Sequence, residues 1–376
     1  MFYDYTEAGQ LALAISITNF FFCVAIYNAR VFQTSDVKEE YGNGVYIAAR
    51  IITCVLSIIL CAIFLLFVGY VNITRNIILF YMLFRIVEAF VDVYHGISQK
   101  YWRMDYIGIS FAIRGILSLV AFLILGWLYG LASAIIGMTI VTVLVVIFYD
   151  YPKTKALANI KLHFDNSVFL LLKRCFPLML TMLIGITITS YSRYSIERML
   201  GVEALGVYSV AVSPALIVQA IAAFVTTPLI NVFADIVNEA KTKKFVKILG
   251  MYCFFATCII LAVFAGTFVL GEWGLVLLFG ESIRPYAYLL RDAVIVSGLA
   301  SFMWFMNMIF SIIRDIRGIF YANIIGVLLC VLTINRFLIN YGLAGANYVM
   351  IISQGVAVAY LFIRLFWFIK TKIKIQ

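Results

Sequence analysis

Charge is scarce in this chain: Asp, Glu, Lys and Arg together make up only 12% of its 376 residues. A soluble domain carries about a quarter, so a water-soluble globular fold is excluded. Histidine is scarcer still, with only His95 and His163, which argues against a His-based metal site. The seven cysteines lack the spacing of a metal site or of a disulfide framework, and most lie in apolar runs as small hydrophobic residues. There is no glycine-rich phosphate loop, no H-E-x-x-H pattern and no nucleophile with a plausible base. These absences predict a protein that is not an enzyme and that uses no cofactor and no metal. No cleavable signal peptide is visible either, because Met1 is followed by Asp4 and Glu7 instead of a basic stretch.

What the chain has in abundance is apolar sequence. Hydrophobic residues reach 65%, and the mean hydropathy is +1.06. Eleven runs follow one another, at about 8–28, 47–69, 77–97, 106–128, 130–149, 175–197, 204–230, 247–270, 286–313, 318–338 and 343–368. A helix of about 20 residues crosses a hydrocarbon core of about 30 Å, and in lipid the backbone must satisfy its own hydrogen bonds. The expected fold is an all-α polytopic membrane protein of about eleven transmembrane helices.

The net charge of +10 would suit nucleic acid if it were clustered, but its distribution argues against that partner. Lys and Arg collect in alternate breaks: Arg30 and Lys38; Lys100 and Arg103; Lys153, Lys155, Lys161, Lys173 and Arg174; Lys241, Lys243, Lys244 and Lys247; Arg314 and Arg317; and the tail Lys370, Lys372 and Lys374. The opposite breaks hold little beyond Arg75, Arg198, Arg284 and Arg336. The positive-inside rule places the first set and the C-terminus in the cytoplasm. Trp102, Trp127, Trp273 and Trp367 fall at span ends, where interfacial aromatic anchors belong.

An internal repeat is visible. Gly9, Ala14 and Ser16 of the first span recur as Gly206, Ala211 and Ser213 of the seventh, at one constant offset. The expected organisation is an N-terminal lobe over 1–150 with five helices, a cytoplasmic inter-lobe loop over 151–174, and a C-terminal lobe over 175–376 with six. On this reading the first helix of a twelve-helix, two-lobed protein lies upstream of Met1. Paired repeats around a cleft are a transporter architecture.

The sharpest local pattern is in the third span. Tyr81, Arg85, Glu88, Asp92, His95 and Gln99 succeed each other at spacings of 4, 3, 4, 3 and 4, which puts all six on one helical stripe. Charge at membrane depth is costly unless paired or hydrated, so the stripe reads either as a compensated packing network or as the wall of a water-filled cavity. Arg114 shares a face with Ser110 and Ser118 near mid-depth. Arg193 follows Thr189 and Ser190, and Arg291 sits beside Asp292. Arg50 lies close enough to a span end to snorkel. Guanidinium forks match phosphate oxygens, so these arginines favour an anionic head group. Pro214 and Pro228, inside the seventh span, read as a kink or hinge.

The stretch Asp92–Asp105, with His95, Gly96, Gln99 and Arg103, continuing to Ser110, Arg114 and Gly115, resembles the polysaccharide-exporter (O-antigen flippase-like) family. That family belongs to the multidrug/oligosaccharidyl-lipid/polysaccharide (MOP) flippase superfamily. The stretches Arg30–Asp36 and Gly206–Pro214 fit the same resemblance. It implies two lobes and alternating access in the cell membrane. The implied substrate is a polyprenyl-diphosphate-linked oligosaccharide moved from the cytoplasmic to the outer leaflet, with membrane lipid and a coupling ion as the other partners. Arg85 and Arg114 match its tendency to carry arginines in the central cavity. The expected cavity residues are Arg85, Glu88, Asp92, Arg114, Gln99, Tyr81, Arg193 and Arg291. An ion-coupled small-molecule exporter of the same superfamily and a non-transporting membrane partner in polysaccharide assembly remain as alternatives. A membrane polymerase or glycosyltransferase would need a long outer loop with catalytic carboxylates, which the chain lacks.

Overall fold

The computed structural model describes residues 4–36, 40–158, 160, 162, 164–238, 241–313 and 315–373. Lys38, Lys161, His163, Arg314 and Lys374 lie outside them, as do the side chains of Pro228, Asn231 and Lys372. Fourteen helices follow in order among the described residues: α1 Tyr5–Ile26, α2 Ala29–Ser35, α3 Asn43–Val68, α4 Asn72–Lys100, α5 Met104–Tyr129, α6 Leu131–Val145, α7 Tyr151–Leu157, α8 Asn166–Leu200, α9 Val202–Val212, α10 Leu216–Asn238, α11 Thr242–Phe279, α12 Tyr288–Ile312, α13 Ile316–Tyr341 and α14 Leu343–Ile373.

Ten helical stretches, of 22 to 37 residues, are apolar enough to cross a membrane. At 29 residues, α4 is long enough to be another, and it is the helix that carries the charged stripe. The protein is thus an all-α, multi-pass membrane protein. Large side chains such as Phe67, Phe224 and Leu332 stand exposed on these helices, as lipid-facing residues should. Hydroxyls on the spans turn back onto their own helix, Ser16 to the Ala12 carbonyl at 2.7 Å and Thr18 to that of Ala14 at 2.6 Å, which hides their polarity from hydrocarbon.

Three boundaries differ from the expected ones. The fifth span does not stop at 149: a π-helical turn, Val146–Asp150, carries α6 directly into α7. Helix α8 starts at Asn166, inside the stretch read as a loop, because Val168 and Leu171 are buried and anchor its first turns to the N-terminal core. The seventh span is broken by a 3₁₀ turn at Ser213–Ala215, so α9 and α10 are separate helices. Proline at position 214 lacks the N–H that a continuous helix would need.

The chain divides into two compact units, 2–186 and 187–376, with α8 running through the boundary. In the first, α1 packs on α3 and α4, α4 on α3 and α6, and α5 on α6; in the second, α10 packs on α11 and α12, α12 on α11 and α14, and α13 on α14. The same pairing recurs in the same chain order. Both units use a single glycine in the positive-φ region between consecutive helices, Gly130 (φ 83°) between α5 and α6 and Gly342 (φ 55°) between α13 and α14 among them, a geometry that only glycine adopts without strain. The core of the first unit gathers Tyr46, Val93, Ile97 and Leu171, and that of the second Phe233, Phe305, Phe310 and Leu361.

Candidate functional site

The stripe on α4 is resolved into three stations, all within the first unit. Toward its C-terminal end, Asp92 accepts from two guanidiniums, that of Arg50 on α3 at 2.8 Å and that of Arg30 on α2 at 3.4 Å. Arg30 also donates to the Gln99 side-chain oxygen at 3.1 and 2.9 Å. Arg50 does not snorkel: it is 2% exposed, and its second nitrogen donates to the Ala25 carbonyl at 2.8 Å. That carbonyl lies in the last turn of α1, where no intrahelical donor remains, and Thr53 donates to it as well at 2.7 Å. A guanidinium this deep is retained only if paired, so Asp92 is the clasp joining α1, α2, α3 and α4. Gly96 lets α2 approach, since a Cβ there would overlap the Gln33 side chain, which donates to the Val93 carbonyl at 3.2 Å.

One to two turns earlier, Arg85 donates to Glu88 at 2.7 Å and to Asn19 of α1 at 3.0 Å, and its guanidinium lies 3.6 Å over the Phe22 ring. The third station is His95, 3.5 Å from the Asp150 carboxylate on the π-helical turn, with both side chains 3% exposed.

Between α1, α4, α5 and α6 opens a cavity of about 470 Å³. Its polar lining comes from Tyr81 and Glu88 of α4, Arg114 and Ser118 of α5, and Thr142 of α6, set among Leu11, Ile15, Phe84 and Phe122. The helical spacing that puts Arg114 and Ser118 on one face of α5 follows directly from their separation by four residues. Arg114 is 9% exposed; among the described residues no carboxylate lies within ion-pair distance of it and its Nε has no partner, and its guanidinium lies 5.1 Å over the Phe111 ring. The carboxylates within electrostatic reach, Asp150 and Glu88, face His95 and Arg85. Of the expected residues, Tyr81, Glu88 and Arg114 line this cavity, Arg85 braces Glu88 from behind, and Asp92 and Gln99 belong to the clasp. Among the described residues no group of three His, Cys, Asp or Glu side chains is placed to hold a metal.

In the second unit Arg193 is half-buried within electrostatic reach of the buried Tyr208, whose hydroxyl donates to Asn347 at 2.7 Å. The Asn347 amide closes the chain by donating to the Leu289 carbonyl at 3.1 Å. Arg291 lies 4.3 Å over the Phe268 ring. Glu197 lies 3.8 Å from Arg198.

No family model matches the chain. It is 26% identical over 364 residues to the capsular polysaccharide biosynthesis protein CapF of Staphylococcus aureus, covering 93% of this chain and 89% of that protein. Among solved structures it superposes on the lipid II flippase MurJ in an inward closed conformation, with a TM-score of 0.76 and 16% identity over 96% of this chain and 81% of that one. It also superposes on a multidrug resistance MATE family transporter of the MOP superfamily, with a TM-score of 0.74 and 16% identity over 98% of this chain and 95% of that one. The chain has the MOP fold. Its structural neighbours are transporters, and the resemblance read from Asp92–Asp105 and its flanking motifs agrees with them.

Within the MOP fold of this chain, sequence reasoning missed Asn19, Thr142 and Asp150, and it misassigned Arg50. Asp150 could have been suspected as a carboxylate at the end of an apolar run, but nothing in sequence links it to His95. Thr142 carries no signal, being one of three hydroxyl residues, with Ser133 and Thr139, in an otherwise apolar helix.

Proposed function

We propose that this chain is a flippase for a polyprenyl-diphosphate-linked oligosaccharide, carrying it from the cytoplasmic to the outer leaflet of the cell membrane for surface polysaccharide synthesis. The observation that carries the reading is Arg114: a guanidinium with no carboxylate within ion-pair distance among the described residues, on the wall of a 470 Å³ cavity. An unpaired charge at membrane depth costs several kcal/mol, and a bound diphosphate offsets that cost through the bidentate bonds a guanidinium makes. Tyr81 and Ser118 offer hydroxyls to sugar, and the volume falls within the usual range of ligand sites. Similarity to a capsular polysaccharide biosynthesis protein and to a lipid II flippase supports this substrate class.

In this reading residues 1–150 and 175–376 are the two lobes, joined through 151–174. The basic loops and the C-terminus face the cytoplasm, and Arg193 and Arg291 serve the second lobe. Pro214 and Pro228 give α9 and α10 a hinge, a coupling ion supplies the driving force, and the prenyl tail stays in the bilayer. A second reading, export of a small cation, draws on the MATE likeness and on Glu88 in the cavity. It is weaker because Glu88 already accepts from Arg85 at 2.7 Å, whereas Arg114 has no carboxylate within ion-pair distance among the described residues.

Binding of farnesyl diphosphate to the purified protein tests the assignment. The expected result is saturable binding that Arg114→Gln weakens at least tenfold and that an organic cation does not compete. Competition by the cation, with no diphosphate binding, would favour the exporter.

A further inference from the structure

The second unit holds a cavity of opposite character, about 390 Å³ between α10, α11 and α12. Its walls are apolar, with Val225 and Leu229 from α10, Ile248, Phe255 and Ile260 from α11, and Phe302 from α12. The two hydroxyls at its border are already engaged, Tyr252 with Thr226 at 2.9 Å and Ser301 with the Ser297 carbonyl at 2.8 Å. Nothing there can hold a sugar, a phosphate or an ion, so the fitting occupant is hydrocarbon. Lining positions on α11 run from Ile248 to Ile260, about 18 Å at 1.5 Å per residue. That is close to the depth of one leaflet, about half of a 30 Å core.

Charge marks one end of this slot. Lys247 immediately precedes Ile248, and Lys243 and Lys244 lie one turn earlier; all three are exposed and form no ion pair among the described residues. Helix α11 is also the least buried of the membrane-crossing helices, so the slot lies on a helix that meets lipid along most of its length. Cations at the mouth with a dry slot behind are the complement of a membrane lipid bearing an anionic head group.

We infer that the groove between α10, α11 and α12 binds one acyl chain of an anionic membrane phospholipid, with its phosphate against Lys243, Lys244 and Lys247. This site is separate from the cavity around Arg114 and holds whether or not the flippase reading does.

Native mass spectrometry of the full-length protein, released from detergent in the presence of phosphatidylglycerol or of phosphatidylcholine with the same chains, tests it. One phosphatidylglycerol is expected to be retained in preference to phosphatidylcholine. The exposed triple variant K243Q/K244Q/K247Q weakens it on the order of a hundredfold, at about fivefold per lysine, and the corresponding Lys→Arg triple retains it. Ala256→Phe, which fills the groove, releases the lipid with the lysines intact. The inference is overturned if the two lipids bind equally, or if Ala256→Phe leaves retention unchanged, which would mean surface attraction alone. A dimer that Ala256→Phe dissociates would overturn it too, because a second copy would then be the occupant. Should Ala256→Phe not fold, the lipid preference and the lysine variants decide the question alone.

Discussion

Replacing Asp92 by Asn removes the carboxylate that pairs with Arg50, whose side chain is 1% exposed. Removing one partner of a buried ion pair costs about 3–5 kcal/mol, because the remaining charge stays buried without compensation. Two features place this case near the lower end. The Asp92 side chain is 23% exposed, so water reaches it, and Arg50 keeps its bond to the Ala25 carbonyl. A loss of about 3 kcal/mol corresponds to roughly 6–12 °C in Tm for a cooperative unit of this size. Thermal unfolding of the purified protein in detergent reads this directly. The double variant R50M/D92L, which replaces the pair by apolar groups of similar volume, is expected to recover most of the loss. An Asp92→Asn protein that melts like wild type, or a double variant worse than the single, would refute the clasp. Asp92 would then have to be read as a functional residue of the stripe.

Three further outcomes are expected. Arg114→Gln relieves an unpaired buried charge, so its Tm stays level or rises while diphosphate binding is lost, and Arg114→Lys, which keeps the charge without the fork, restores binding only in part; parallel melting and binding curves check this. Gly342→Ala and Gly130→Ala each force a side chain into a positive-φ turn and should each cost about 1–2 kcal/mol, measured by thermal unfolding. At the start of α13, Asp315 accepts from Arg364 at 2.7 and 3.0 Å, which holds its carboxyl below its ordinary value of 3.8. A carboxylate with a depressed folded-state pKa adds stability that is fully present above that ordinary value and is lost as pH falls through the lowered one. Melting curves between pH 5 and 2.5 should therefore drop more steeply for the wild type than for Arg364→Gln.

Much of the fold is legible because the bilayer imposes a single length and a single secondary structure on each apolar run. The stripe on α4 is legible for the same reason, since helical periodicity alone aligns Tyr81, Glu88 and Asp92. What periodicity cannot do is divide the stripe. Asp92 and Glu88 look equivalent in sequence, yet one closes a clasp and the other lines a cavity, because Asp92 meets Arg50 and Arg30 from other helices, whereas Glu88 pairs with Arg85 one turn away on its own helix. Arg50 is misread on its own helix because a cation near a span end satisfies the snorkelling rule, and only the turn from α1 into α2 shows that it is enclosed. The break at Ser213–Ala215 is legible as a kink because Pro214 marks it locally, whereas the π-helical turn that carries α6 past 149 and brings Asp150 to His95 has no such local mark.

Leaflet-resolved labelling of lipid-linked oligosaccharide, in cells depleted of this protein and then supplied with wild type, Arg114→Gln or Asp92→Asn, tests the flippase assignment itself. On depletion the lipid-linked sugar is expected to accumulate on the cytoplasmic leaflet. Wild type should restore its outward movement, Arg114→Gln should be present in the membrane yet fail to restore it, and Asp92→Asn should restore it in proportion to the amount that folds. An unchanged leaflet distribution on depletion, or full restoration by Arg114→Gln, would contradict that assignment.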